Sequence, residues 1–255
     1  RRPVRCFDMS RFYYDFHMHS CLSPCADNDN TPNNLAGMAV LAGLEIIALT
    51  DHNTARNCPA FFEAAERYGL IPVSGMELTT SEDIHVVCLF EELGGALAFD
   101  REIAARHRLR VKNRADVYGE QYIMDGQDNV IGIEPDFLPM ATDISVDSAP
   151  ALAAQYGGIC YPAHIDRQAN GIVSVLGTFP EHPAFPAAEF HDPKLYEAYL
   201  VKYPALSGRR LLYGSDAHDL LGIRDKQYFL ELPAARGDAE AARKSLFDVL
   251  KGALL

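Results

Sequence analysis

Two histidines, His17 and His19, stand two residues apart at the end of a strand-like run that starts at Arg11. A matching pair, Asp216 and His218, closes a run that starts at Arg210. In extended backbone, residues i and i+2 point to the same side. Each pair can therefore grip one ion, or two neighbouring ions. Imidazole and carboxylate together suit Zn, Mn or Fe rather than Mg or Ca alone. Three further runs end in the same residue types: Thr50-Asp51-His52-Asn53, Gly75-Met76-Glu77 and Pro162-Ala163-His164. His85 stands at the start of its run and is the exception. A lone histidine is more often a surface or satisfied core residue than a ligand. Six at strand edges, together with Glu77 and Asp216, point to a metal site. Of the other three histidines, His107 sits in a charged stretch and reads as solvated. His182 lies in a Pro-rich loop and reads as structural. His191 follows Glu189-Phe190 and is a candidate for lining the site.

The elements that would bring these residues together alternate along the chain. Strand-like runs cover 11–16, 44–49, 70–73, 84–90, 159–161, 187–190, 210–213 and 229–232. Helical patterns cover 35–42, 60–68, 193–203 and 239–250, and Ser148-Ala149-Pro150 opens another that ends at Gly157-Gly158. Thr31-Pro32 reads as an N-cap followed by proline at the first helical position. Such alternation predicts a parallel α/β architecture. In parallel sheets and barrels the C-terminal strand ends converge on one face, which holds the active site. Residues 91–147 break the rhythm. They hold a basic stretch (Arg101, Arg106, Arg108, Arg110, Lys112, Arg114) and a hairpin whose arms, 121–124 and 130–133, flank 125–129. This insertion reads as a lid or an oligomer contact, or else as a solvated helix with a surface hairpin.

The 255 residues suit one α/β barrel. A hydrophobic fraction of 48% and a charged fraction of 23% exclude a disordered or fibrous chain. Lys and Arg number 23 against 35 Asp and Glu, a formal charge of -12. That balance disfavours long nucleic acid and anionic membranes. Small anionic substrates stay open, because bound cations can invert the local field. The six cysteines show no zinc-finger spacing, and Cys88 and Cys160 sit in apolar runs as buried thiols. No apolar run reaches the ~18 residues of a membrane span, and no signal peptide is visible, so the expected setting is reducing and cytoplasmic. Met9 directly precedes the first strand. A native start there is expected, with residues 1–8 an extension or tag and 9–255 one barrel domain.

His17-Met18-His19, Thr50-Asp51-His52, Glu77, His85, His164 and Ser215-Asp216-Ala217-His218 resemble, in type and order, the motifs of the PHP (polymerase and histidinol phosphatase) superfamily. The resemblance implies a distorted (β/α)7 TIM-like barrel and a stand-alone, metal-dependent phosphoesterase with two to three divalent ions (Mn, Zn or Fe). Carried over by position, it gives one ion His17, His19, Glu77 and Asp216. A second shares Glu77 and adds His85 and His164. A third takes His52, His218 and a residue from the loop after the first strand. In that loop the chain departs from the common pattern with Ser23-Pro24-Cys25-Ala26-Asp27. Cys25 falls at the relevant position and would favour zinc. Asp27 is within loop reach and would suit manganese. Cys21 and Cys25 could also simply pack the loop.

The expected reaction follows from these assignments. Glu77 and Asp216 hold the reacting centre, Glu77 bridging two ions, and a hydroxide between those ions attacks phosphorus. Arg167, three residues after His164, can bind the phosphate with its planar fork, or pair with Asp166 or another acid. His191 is the other candidate for substrate contact. Asp51 orients a ligand histidine or holds the loop. The expected substrate is a small phosphomonoester such as a nucleotide or sugar phosphate, with a cyclic phosphate, another phosphodiester or an oligonucleotide end as the alternative. Metal-dependent amidohydrolases also use His-x-His after the first strand, but typically bridge their metals with a modified lysine. No lysine lies in the candidate motifs here. A metal-stabilised barrel without activity is the remaining alternative, and the full ligand set argues against it.

Overall fold

The structure, a computed structural model, describes residues 9–252. The expectation about residues 1–8 lies outside the described residues. In chain order the elements are β1 (Ser10–Asp15), α1 (Pro32–Leu41), β2 (Ile46–Leu49), α2 (Cys58–Arg67), β3 (Ile71–Thr79), β4 (His85–Phe90) and α3 (Leu93–Glu102). Then come α4 (Ala115–Tyr118), β5 (Tyr122–Met124), β6 (Val130–Ile133), α5 (Ala149–Gln155), β7 (Gly158–Pro162) and α6 (Ile172–Leu176). The last are β8 (Ala187–Phe190), α7 (Tyr196–Lys202), β9 (Arg210–Tyr213), β10 (Phe229–Leu232) and α8 (Ala239–Leu250). Thr31 caps α1 as its sequence predicts, its hydroxyl accepting from the Asn34 backbone N–H.

The main sheet runs β10-β1-β2-β3-β4-β7, and β8 pairs with β9. Two links close the ring at one end. Ile165 donates to the Glu189 carbonyl, joining the end of β7 to β8, and Met18 bridges Ala217, joining the end of β1 to the end of β9. Seven strands thus form a distorted barrel, with β10 flanking β1 outside the ring. The sheet is not uniformly parallel, which corrects the expectation from alternation. β4 runs antiparallel to both β3 and β7, and β10 antiparallel to β1. The five-residue turn between β3 and β4 is too short for the crossover that a parallel pair needs.

Side chains alternate between two cores, as strands covered on both faces require. Phe12, Tyr14, Ile46, Ala48, Ile71, Val73, Val87 and Leu89 pack inside the barrel with Leu246 and Phe247 of α8. Burying each of those large side chains is worth roughly 1.5–3 kcal/mol. Ile47, Leu49, Met76, Leu78, Val86 and Cys88 face outward against Leu35, Phe61 and Phe99 of the helices. Arg243 of α8 donates to the Pro72 carbonyl near the start of β3, so α8 covers the end away from the strand C-termini. Residues 91–147 are docked rather than free. Phe99 of α3 is fully buried, and Asn57 of α2 bonds both Tyr122 and Met124 of the hairpin. Among the described residues no helix is long and apolar enough to cross a membrane.

Candidate metal centre

The inward side of β3 reads Ile71, Val73, Gly75, Glu77, and Glu77 therefore emerges at the ring's closed end, fully buried. Because β4 is reversed, its first residue reaches that same end. His85 lies opposite Thr79 in register and turns its Nδ1 to Glu77 Oε1 at 2.9 Å. The exception in the sequence pattern is thus resolved by strand direction. After Phe16, which belongs to the inner core, β1 leaves regular pairing and the alternation slips by one: Met18 packs outward while His17 and His19 face in.

Five imidazole nitrogens surround the Glu77 carboxylate at 2.9 to 3.3 Å, from His17, His19, His52, His85 and His164. A carboxylate offers about four lone-pair sites, so hydrogen bonding alone does not account for the crowd. Several of these atoms are in fact unmatched. His52 Nδ1, Glu77 Oε2 and His164 Nδ1 are buried without a well-directed hydrogen bond, although His52 Nδ1 and Glu77 Oε2 stand 3.0 Å apart.

Three groups have donor atoms close enough to share an ion: His17-His19-Glu77-Asp216, His52-Glu77-His85 and His19-His52-His218. In the first, His17 Nε2 lies 3.2 Å from His19 Nε2, 3.2 Å from Glu77 and 3.3 Å from Asp216. His19 Nε2 lies 3.1 Å from Asp216 and 3.3 Å from Glu77. Ligands about 2.0–2.1 Å from a tetrahedral ion stand about 3.3–3.4 Å apart. These residues fit a bound first-row divalent ion.

Their orientation is set by partners behind them. Glu189 on β8 accepts from His17 Nδ1 at 2.8 Å, which leaves Nε2 free to face the centre. Asp51 accepts from the Ser20 backbone N–H and from the hydroxyls of Ser20 and Ser23, each at 2.7 Å, and Ser23 Oγ meets His19 Nδ1 at 3.1 Å. Asp51 therefore holds the loop and, through Ser23, orients His19. Asp15 accepts from the backbone N–H groups of His17 and Ser215, tying the two ligand pairs together. His218 Nδ1 donates to the Asp216 carbonyl at 2.8 Å. A Cβ at Gly214 would come within 2.5 Å of Glu189 Oε2 and 2.8 Å of His17 Cβ, so only glycine leaves room for that contact.

Charge is divided unevenly. Burial pulls His17 down, but Glu189, Glu77 and Asp216 outweigh it and hold His17 well above its ordinary value. His19 is likewise lowered by burial but raised more by Asp216 and Glu77, to about 9. Burial lowers His52 to about 3 and His218 to about 4, with His19 adding to both effects. Glu77 stays far below the usual carboxylate range because His85, His17 and His52 outweigh its burial. Asp216 is lowered too, His17 and His19 overcoming its burial. Burial raises Asp15 to about 6.

The structure gathers His17, His19, His52, Glu77, His85, His164, Asp216 and His218 at one place. Cys25 is exposed on the wall of the adjoining cleft, and Asp27 is exposed with its backbone N–H bonded to the His218 carbonyl. Neither belongs to the three groups. Arg167 lines the cleft and pairs with Asp216, not with Asp166. Asp166 instead accepts the backbone N–H groups of His191 and Asp192. The His191 ring lies 3.2 Å from Arg167 and 3.1 Å from Arg224. Burial, then both guanidinium groups, lower its pKa, so it is neutral at pH 7. His107 is half-buried against Asp143 at 2.7 Å rather than solvated, and His182 is exposed. Sequence reasoning missed Glu189, Ser23, Asp15 and Arg224. The one signal for Glu189 is a single acid in the apolar run Ala187-Ala188-Glu189-Phe190.

The cleft holds about 390 Å³, with Glu77, His52, His85 and His164 on its floor and Pro24, Tyr118, Phe137 and Pro139 among its walls. That size lies within the range of small-molecule sites.

Comparison with known proteins accords with this geometry. A stretch of the error-prone DNA polymerase of Symbiobacterium thermophilum is 32% identical over 95 residues, 37% of this chain but only 9% of that polymerase. A lesion-specific endonuclease of Pyrococcus furiosus shares the fold at 14% identity, with a TM-score of 0.63 over 95% of this chain and 56% of that one. A protein of Bifidobacterium adolescentis assigned as a metal-dependent phosphoesterase shares it at 16% identity, with a TM-score of 0.55 over 93% and 95%. The PHP domain family model matches residues 15–136. That match covers just under half of the chain, from the end of β1 through β6, and takes in His17, His19, His52, Glu77 and His85.

Proposed function

We propose that the chain hydrolyses a small phosphomonoester with two to three divalent ions held around Glu77. The observation that carries this reading is the crowding of five histidines on one buried carboxylate at the floor of a ligand-sized cleft. His17, His19, Glu77 and Asp216 would hold one ion. His52, His85 and His164, which also face Glu77, would hold a second, and His218 with His52 and His19 would offer a third position. Such ions, when bound, supply Lewis acidity toward phosphorus and make a water acidic enough to attack. The residues do the rest. Glu189 and the Asp51–Ser23 pair fix the ligand rings, and Arg167 places its guanidinium at the phosphate. Neutral His191 accepts from Arg167 and steadies it. In the balanced reaction a water oxygen bonds to phosphorus, the ester P–O bond breaks, and the leaving oxygen takes a proton. Among the described residues no lysine lines the cleft, which favours this reading over a lysine-bridged amidohydrolase.

The test is phosphate release from nucleotides, sugar phosphates, cyclic phosphates and oligonucleotide ends, before and after exhaustive chelation. Activity should vanish on chelation and return with Mn, Zn or Fe. Glu77→Ala should lose both bound metal and turnover. Activity that survives complete metal removal would sink the proposal.

A further inference from the structure

Two aromatic rings stand over the metal floor without a structural reason to be there. Tyr118 and Phe137 line the cleft with ring centroids 4.6 Å apart, tilted by 38°. Tyr118 ends α4, a single helical turn with no buried residue, and is 49% exposed. It builds no core. The rings are nevertheless held in place. Phe137 donates its backbone N–H to the Val111 carbonyl at 2.7 Å, and Asn113 donates to Pro135 at 2.9 Å. Asn113 also donates from its side chain to the Gly119 carbonyl at 2.8 Å. Gly119 has φ +89°, and a Cβ there would sit 3.3 Å from the Pro24 carbonyl. The tip of the insertion therefore abuts the loop that follows β1, and the rings line the same cleft as Arg167.

From this placement we infer that Tyr118 and Phe137 form a nucleobase subsite and that the substrate is a mononucleotide. The inference rests on the phosphoesterase reading above. A hydroxyl-rich sugar phosphate gains little from a wall of Pro24, Tyr118, Phe137 and Pro139. A planar base stacks on such rings, worth roughly five- to a hundredfold in affinity. A polymer is disfavoured because three of the six basic side chains of the insertion spend their charge on local acids. Arg106 pairs with Glu102, Arg108 with Glu134 and Arg114 with Asp116. The chain as a whole carries -12.

The experiment compares metal-loaded wild type, Tyr118→Ala, Tyr118→Phe and Phe137→Ala on nucleoside 5′-monophosphates, ribose 5-phosphate and a short 5′-phosphorylated single-stranded oligonucleotide. The expected result is a fall of about tenfold or more in the ratio of kcat/KM for nucleotide to kcat/KM for ribose 5-phosphate in the alanine variants, carried by KM. Tyr118→Phe should keep the wild-type ratio. An unchanged ratio, or wild-type preference for ribose 5-phosphate or the oligonucleotide, overturns the inference. Nucleoside monophosphate binding is measured in parallel by ligand-observed NMR. Binding that depends on Tyr118 in a protein that releases no phosphate supports the subsite and defeats the hydrolytic reading. Phosphate release from sugar phosphates without nucleotide binding does the reverse.

Discussion

At the scale of single residues, the groups behind the ligands decide what the ligands can do. Glu189 is wholly buried, and its Oε1 serves both His17 Nδ1 and the His164 backbone N–H. Glu189→Gln keeps the shape but removes the charge. It should weaken metal binding by about 10- to 100-fold, with little change in the unloaded fold, as read by metal titration and circular dichroism. Protonation makes a second prediction. Without metal, His17 and His19 are raised and His52 and His218 lowered, so at pH 7 the first two carry protons and the last two do not. A metal ion must displace the protons on the first two. Affinity should therefore rise with pH up to about 9, the value for His19. Loading near pH 7.5 should release about two protons, measurable by calorimetry in buffers of different ionisation enthalpy. No proton release would refute the assignment. All eight candidate ligands were legible as residue types, seven of them at strand ends and His85 at a strand start. Glu189 and Ser23 were not, because their roles depend on β8 meeting β1 and on the fold of one loop.

At the scale of elements, two features that local patterns do not encode put the ligands in place. The first is the reversal of β4, which turns a histidine at a strand start into a neighbour of residues at strand ends. Strand existence was readable from the apolar runs, whereas strand direction depends on which edge the chain returns to. The second is backbone held off its usual basins. His164 has φ +26° and Asp216 φ +52°, each costing about 1 kcal/mol or more. The Asp216 N–H bond to the His17 carbonyl and the His164 N–H bond to Glu189 keep them there. Gly214 belongs to the same device, since it admits Glu189 beside His17. Gly214→Ala should push Glu189 aside, lowering metal content at fixed free metal while leaving the helical signal intact. Unchanged metal content would show that the strands can part to accept a methyl group. The insertion's hairpin was likewise readable from its turn residues. Its docking was not, since the Asn57 contacts join residues 65 and 67 positions apart.

For the whole molecule, the formal charge of -12 includes acids that face a buried centre rather than water. Filling that centre offsets part of the charge and ties down otherwise unmatched polar atoms. Loading should accordingly raise Tm in proportion to the logarithm of free metal above Kd, and chelator should reverse the rise; a Tm indifferent to metal would count against the centre. The ring also has an unequal build. β1 to β4 and β7 are joined by continuous ladders, but β9 shares no ladder with β1 and its chain bridges to that of β1 at Met18 and Ala217, where candidate ligands from both sides converge. An ion shared by His17, His19 and Asp216 therefore acts as a cross-link between distant parts of the chain. It closes a loop of nearly 200 residues, for which a covalent bridge would contribute on the order of 5 kcal/mol by restricting the unfolded chain. The same ions that serve the reaction would then work as a clasp, and stripping them should open the barrel first at the seam between its earliest and latest strands.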